Sequence, residues 1–250
     1  MHRQAWPAAG LTPAIEQPAN AAGIRAFRVS RAIHSACSSK IQARGDSIKT
    51  IASALALLIA GSTAHADPLV ERIVDQLEAS PSGCSPVPRA DPQRQLIESD
   101  IRNFRKDAPI PPGIAFSVMD CAVDGFVHRG QTVVVSTRLS RLPPTQRFFI
   151  LAHELGHLVL RHRAAISSFV AQAVDSTPDE PSARALIASG LATVSHRAEI
   201  EADAYAARLM RDTGRDPEDA ARLFDSLGEG ADNATHPSTG ARARAIRAWR

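Results

Sequence analysis

Three features of the 250-residue sequence predict an α+β domain, mostly helical around a small antiparallel sheet. Two strand-like runs, residues 114–119 and 131–137, lie close together, the second carrying Val133, Val134 and Val135. Amphipathic segments with apolar residues three and four apart flank them on both sides. Loops dense in Pro and Gly separate the segments without any repeat, so strands and helices are segregated, not alternating.

The first 66 residues are expected to stand outside this domain. Residues 1–48 are rich in Ala, Ser and Arg and hold only two acids, Glu16 and Asp46. Lys49, the apolar run 51–61 and Ser62-Thr63-Ala64-His65-Ala66 have the three-part form of a secretory signal peptide cut after Ala66. The run is too short to cross a bilayer, which needs about 20 residues. A leader of this length exceeds the usual roughly 15–30 residues, which puts the expected translation start downstream of Met1, at or near Val29. An Arg-rich, acid-poor transit peptide is the competing reading. No Cys follows the run, so no lipid anchor is expected at this cut. The division is therefore a leader, 1–66, and one domain, 67–250.

Charge separates along the same boundary. The chain has a formal net charge of +3, but the leader holds 7 Lys and Arg against 2 acids, which leaves 22 bases and 24 acids in residues 67–250. The basic balance belongs to the leader, and the electrostatic case for nucleic acid binding disappears. Two cysteines remain, Cys84 and Cys121. An even count after a secretory signal predicts one disulfide between them.

Within the domain, Asp67-Pro68 opens a helix over 69–77 with Leu69, Ile73, Val74 and Leu77 on one face. A Pro- and Ser-rich loop, 80–92, leads to a second helix over 93–105, carrying Leu96, Ile97, Ile101 and Phe104. Pro109, Pro111, Pro112 and Gly113 end it. Asp124-Gly125-Phe126 and Arg129-Gly130 read as turns between the two strands, which predicts an antiparallel pair. Pro143 and Pro144 open a strongly apolar helix that reaches Leu160. Residues 164–174 continue or restart it, 176–181 break the chain, and 182–193 and 196–211 read as two further helices. Asp216-Pro217 caps another over 218–227, and 228–233 is a loop. A last helix is expected over 237–249, with Trp249, like Leu223, in the core.

The sharpest chemical signal is His153-Glu154-Leu155-Gly156-His157. On a helix, residues four apart stand one above the other, so two imidazoles can hold one Zn²⁺. The intervening Glu154 is placed to take a proton from a metal-activated water. Three polar residues interrupting so apolar a helix need partners, and a metal supplies them. A catalytic zinc takes three protein ligands, and no His stands at the spacing of a three-His site, where this chain has Leu160 and Arg163.

His-Glu-Leu-Gly-His followed by Arg161-His162, then Glu199-Ile200-Glu201-Ala202-Asp203, then Thr235-His236-Pro237-Ser238 with Arg242, resembles the HtpX and CAAX prenyl protease family of zinc peptidases. The resemblance covers nearly all of residues 67–250. It implies a zincin-type fold, one zinc ion, Glu199 as the third ligand, Asp203 orienting a ligand His, His236 binding the oxyanion and Arg242 supporting that site. Where members of that family carry Asn-Ala-Phe before the Val-rich strand, this chain has Asp124-Gly125-Phe126, and their membrane spans are missing. A second resemblance, through residues 146–157 and 199–210, is to the cytoplasmic ImmA/IrrE-type regulatory peptidases. The signal peptide and the Thr-His-Pro segment favour the first.

Helix geometry gives the same third ligand among His196, Glu199 and Glu201. Glu199, Ala202, Asp203 and Ala206 share one face, whose alanines permit close approach to the zinc helix. Glu201 points about 200° away, among Arg197, Tyr205 and Arg208, on what reads as a solvated surface. His196 reads as a cap-region residue, and His162 as a residue behind the ligands or on the surface. A thiolate of Cys84 capping the zinc in a latent enzyme is the alternative to the disulfide.

The function expected is a zinc endopeptidase of the cell envelope. Its polypeptide substrate, by resemblance misfolded envelope protein, would add as a strand near Val133–Val135. The other class is a latent zinc-containing binding or chaperone protein, for which Glu154 would have no use.

Overall fold

The computed structural model describes residues 67–78 and 83–249, so the expected leader and its cut lie outside the described residues. Asp67 and Asp91, each followed by Pro, cap the first two helices. Asp67 accepts from Leu69 N at 2.8 Å to start α1 (Pro68–Leu77), and Asp91 from Arg94 N at 2.9 Å to start α2 (Pro92–Asp107). Side-chain oxygens there satisfy amides that the first turn leaves unpaired, and Pro has no amide to lose.

Four strands follow, and their pairing departs from the expected one. β1 (Cys84–Pro86), β2 (Ala115–Cys121), β3 (Gly125–His128) and β4 (Thr132–Ser136) form a mixed sheet in the order β1-β2-β4-β3. The two runs visible in the sequence, β2 and β4, pair in parallel, with Phe116 opposite Val133 and Val118 opposite Val135. The reason is β3, a strand hidden in what reads as a turn. The chain leaves β2, passes beyond the position of β4, runs back as β3, and reverses through Arg129 and Gly130, both at positive φ (50° and 64°). β4 then slots between its neighbours. A strand with neighbours on both edges and packing on both faces reads as an unbroken apolar run, and Val133, Val134 and Val135 are all buried.

The predicted disulfide is present. Cys84 and Cys121 are opposite residues of β1 and β2, and their sulfurs are bonded. Cys84 is therefore no thiolate ligand.

The remaining helices form the bulk of the domain: α3 (Pro144–Val159), α4 (His162–Asp175), α5 (Glu180–Asp212), α6 (Glu218–Ser226) and α7 (Thr239–Arg247). The two helices expected over 182–211 are one of 33 residues. No helix breaker lies between them, and α4 and α3 cover its length. The last helix starts at Thr239 after a Ser238 cap, not at Pro237. Trp249 is 41% exposed, lying under the Arg208 guanidinium instead of in the core. The main core gathers Phe104, Phe149, Leu151, Leu155, Val133, Val135, Met210 and Ile246 between α2, the sheet, α3, α5, α6 and α7. A second, smaller core joins α1, α4 and the first half of α5 through Ile73, Val74, Val170 and Ile187. Arg163 fastens α1 to α4 by ion pairs to Glu71, Asp75 and Glu78. The buried Arg147 joins α3 to α2 through Asp100 at 2.6 Å.

Candidate metal centre

α3 places His153, Glu154 and His157 on the side facing α5 and β3. The helices meet closely because the motif's fourth residue has no side chain. A Cβ on Gly156 would stand 3.2 Å from Ala202 Cα and 3.3 Å from its carbonyl oxygen. Ala202 and Ala206 are fully buried, as the predicted face requires.

This approach brings Glu199 of α5 to the two imidazoles. His153 Nε2 and His157 Nε2 are 3.1 Å apart. Glu199 Oε1 lies 3.2 Å from His157 Nε2, and Oε2 lies 3.5 Å from His153 Nε2. Tetrahedral bonds of 2.0–2.1 Å to one zinc ion separate the donors by about 3.3 Å, so these three atoms fit a common metal. Among the described residues, His153, His157 and Glu199 are the group able to hold one. The Glu199 oxygen nearer His153 is buried without a sound hydrogen bond, although Arg242 Nη1 is 3.1 Å away. An ion would complete its coordination.

His153 is held from behind. Its Nδ1 donates to Asp203 Oδ1 at 2.9 Å, and Arg242 donates to both Asp203 oxygens. Burial alone would push the Asp203 carboxyl up, but Arg242 and His153 outweigh it and hold it below the usual carboxylate range. Burial would likewise push the Glu199 carboxyl up; the adjacent imidazoles and Arg242 outweigh it and keep Glu199 ionised, with its pKa well below normal.

Glu154 is buried beside the triad and leans on β3. A Cβ on Gly125 would meet its Oε1 at 3.0 Å and its Cγ at 3.1 Å. Burial pushes its carboxyl up, against the pull of His153 and His157.

His236 reaches the same place from the loop before α7. Its Nε2 is 3.7 Å from Glu199 Oε2, its Nδ1 meets Thr235 Oγ1 at 2.8 Å, and its side chain is half exposed. Asn233 organises this loop by accepting from His236 N, and His196 of α5 donates to the Asn233 carbonyl at 2.6 Å. His196 is therefore a mid-helix residue that holds the loop, not a helix cap.

Two further residues lie behind His157: His162, in the first of its two expected places, and Glu201, which was expected only at the surface. His162 is buried at 4% exposure, with Nδ1 2.9 Å from His157 Nδ1. Burial and the adjacent His157 push its pKa down to about 4. Glu201 forms the predicted surface pair with Arg197 at 2.7 Å, but its Oε2 also lies 3.3 Å from His162 Nε2. The sequence held a signal for this in Arg161-His162, but on an unbroken helix the fifth residue after His157 points elsewhere. Arg161 adopts a left-handed conformation, φ 57° and ψ 41°, that turns His162 back.

No helix among the described residues is long and apolar enough to cross a membrane. No curated protein sequence matches the chain. The family model of peptidase family M48 matches residues 94–250, which contain every residue of the triad and its surroundings. With that match over more than half its length, the chain belongs to peptidase family M48, a family of zinc-dependent metallopeptidases.

Proposed function

We propose that this protein is a secreted zinc endopeptidase of the HtpX and CAAX prenyl protease type, acting on unfolded polypeptide in the cell envelope. The observation that carries this reading is the position of Glu154 between the candidate metal ligands and an edge strand. β4, where substrate was expected to dock, is an inner strand and has no free edge. β3 is the edge strand beside it, and Gly125 on it leaves the space that Glu154 occupies, where a Cβ would stand 3.0 Å from Oε1. An extended peptide paired with β3 would bring its backbone carbonyls past the Glu154 carboxylate, held by main-chain hydrogen bonds with little side-chain selectivity.

His153, His157 and Glu199 would hold the zinc ion. When bound, zinc supplies Lewis acidity toward a carbonyl oxygen and makes a nearby water acidic enough to react at neutral pH. The Glu154 carboxylate accepts the proton of the attacking water and returns it to the leaving amine. A carboxyl raised by burial is suited to both transfers. His236 Nε2 donates to the oxygen that becomes negative, and loss of one such donor costs about 10²–10³ in rate. Asp203 keeps His153 in the tautomer that presents Nε2 to the metal, and Arg242 holds Asp203.

The secreted location is supported by the Cys84–Cys121 disulfide, which is stable in oxidising compartments. The Thr235-His236-Pro237 segment beside Arg242 favours this type over the ImmA/IrrE type. Purified protein should cleave an unfolded, casein-type substrate, stop on addition of a chelator and recover with zinc. Glu154→Gln should keep zinc and fold while losing about 10²–10⁴-fold in turnover. Near-normal turnover in that variant would remove Glu154 from the mechanism, and no cleavage by the zinc-loaded parent would leave a binding protein.

A further inference from the structure

The two imidazoles of the triad have different groups behind them. His153 has Asp203 and Arg242. Behind His157 stands His162, and behind His162 stands Glu201, at 2.9 Å and 3.3 Å in turn. Counting hydrogens fixes the arrangement along this line. His157 Nε2 faces the triad at 3.1 and 3.2 Å from His153 Nε2 and Glu199 Oε1, so a metal there needs its lone pair. The ring hydrogen of His157 is then on Nδ1. It can point only at His162 Nδ1, which must accept. His162 therefore carries its own hydrogen on Nε2, which has Glu201 Oε2 as its facing charge at 3.3 Å, an ion-pair distance whose angle falls short of a hydrogen bond.

Two features argue that this line is built, not incidental. His162 is the first residue of α4 and nearly fully buried, where an imidazole without partners would be costly. It reaches His157 only through the left-handed turn at Arg161, a conformation that disfavours residues with a side chain. Glu201 is in turn held by Arg197 Nε at 2.7 Å, so the carboxylate end of the line is fixed at the surface of α5.

We propose that His162 and Glu201 are a positioning pair for His157, which lock its Nδ1–H tautomer and hold its Nε2 toward the metal. Neither residue touches the metal or substrate. A carboxylate acting through a second imidazole replaces the direct carboxylate contact that His153 receives from Asp203. The proposal rests on the metal centre read above and not on peptidase activity.

Metal affinity tests it, by zinc competition against a chromophoric chelator and by the visible spectrum of the Co²⁺-substituted protein. His162→Phe removes the acceptor and should weaken zinc by about 10–100-fold and shift the cobalt bands. His162→Gln offers an amide oxygen to His157 Nδ1–H and should recover most of the affinity. Glu201→Gln, on a partly exposed helix face, should fold normally, lose several-fold in affinity and shift the cobalt bands in the same direction. A folded His162→Phe with parental affinity and spectrum would overturn the proposal. So would affinity that His162→Gln fails to restore, or, if His162→Phe does not fold, a Glu201→Gln protein that binds both metals like the parent. A parent chain that binds zinc but cleaves nothing would remove the peptidase reading alone, whereas one that binds no zinc would remove both.

Discussion

Arg242 lays Nε and Nη2 on the two oxygens of Asp203, at 2.8 and 2.7 Å, and turns Nη1 toward Glu199 Oε2 at 3.1 Å. One guanidinium thus answers two buried carboxylates on neighbouring turns of α5. Removing it strands both. Arg242→Ala should cost about 3–5 kcal/mol of stability in metal-free protein. Bound zinc provides Glu199 with another positive partner, so the cost should be smaller in the zinc form. Urea unfolding of both forms measures the difference, and equal losses would mean that Arg242 serves packing alone. Lys in its place cannot make the paired contact and should rescue little.

Zinc uptake should release protons near neutral pH. Without metal, burial would lower the pKa of His153, but hydrogen bonds to Asp203 and Glu199 and their charges hold it up at about 10. A histidine raised on folding from 6.5 stabilises the fold fully below about pH 6.5 and loses that contribution as pH rises through about 10. Metal needs the unprotonated ring. Zinc affinity should therefore increase with pH across that window. Calorimetry in buffers of different ionisation heat reads the released proton, and a heat independent of buffer would show His153 neutral before zinc arrives.

Gly125→Val should separate turnover from metal binding. The added side chain would enter the space of Glu154 Oε1 and Cγ, both about 3 Å from a Cβ there. Displacing a catalytic group by about 1 Å can cost on the order of 10²-fold in rate. Zinc content should stay at the parental level, because His153, His157 and Glu199 do not touch Gly125. Parental kcat in this variant would show that Glu154 has room to work elsewhere.

Replacing Cys84 and Cys121 together by Ala should destabilise the domain by about 3–4 kcal/mol, from the 37-residue separation that the bond closes. The loss should appear in thermal melts of the oxidised parent against the double variant. An unchanged Tm would mean that β1 is held by its hydrogen bonds to β2 without the bond.

The parts of this fold legible in the sequence are those governed by local chemistry. The Asp67-Pro68 cap, the apolar face of α2 and the His153–His157 spacing each follow from residues within one or two turns. The face of α5 was legible for the same reason, since Glu199, Ala202, Asp203 and Ala206 share it whatever the length of the helix. β3 was not legible: Gly125-Phe126-Val127-His128 is too short to show alternation, and its Gly is there to make room for Glu154. The parallel pairing of β2 and β4 was lost with it. His162 was legible only as a residue behind the ligands or on the surface, because the choice between the two depends on one left-handed residue, Arg161, of a type that carries no such preference. Glu201 was legible as the partner of Arg197, but its second contact depends on where that turn delivers His162.

The 33-residue length of α5 has a mechanical consequence. At 1.5 Å per residue, Ile187 in the small core lies about 22 Å from Ala202, whereas Glu199 lies only about 4.5 Å from it. The tight seat of Ala202 on Gly156 makes that point a fulcrum. If the distant end of the rod swings by 1 Å, the short arm moves Glu199 by only about 0.2 Å. The α1–α4 end of the domain can thus breathe, or yield to a neighbour, while the ligand geometry stays almost still.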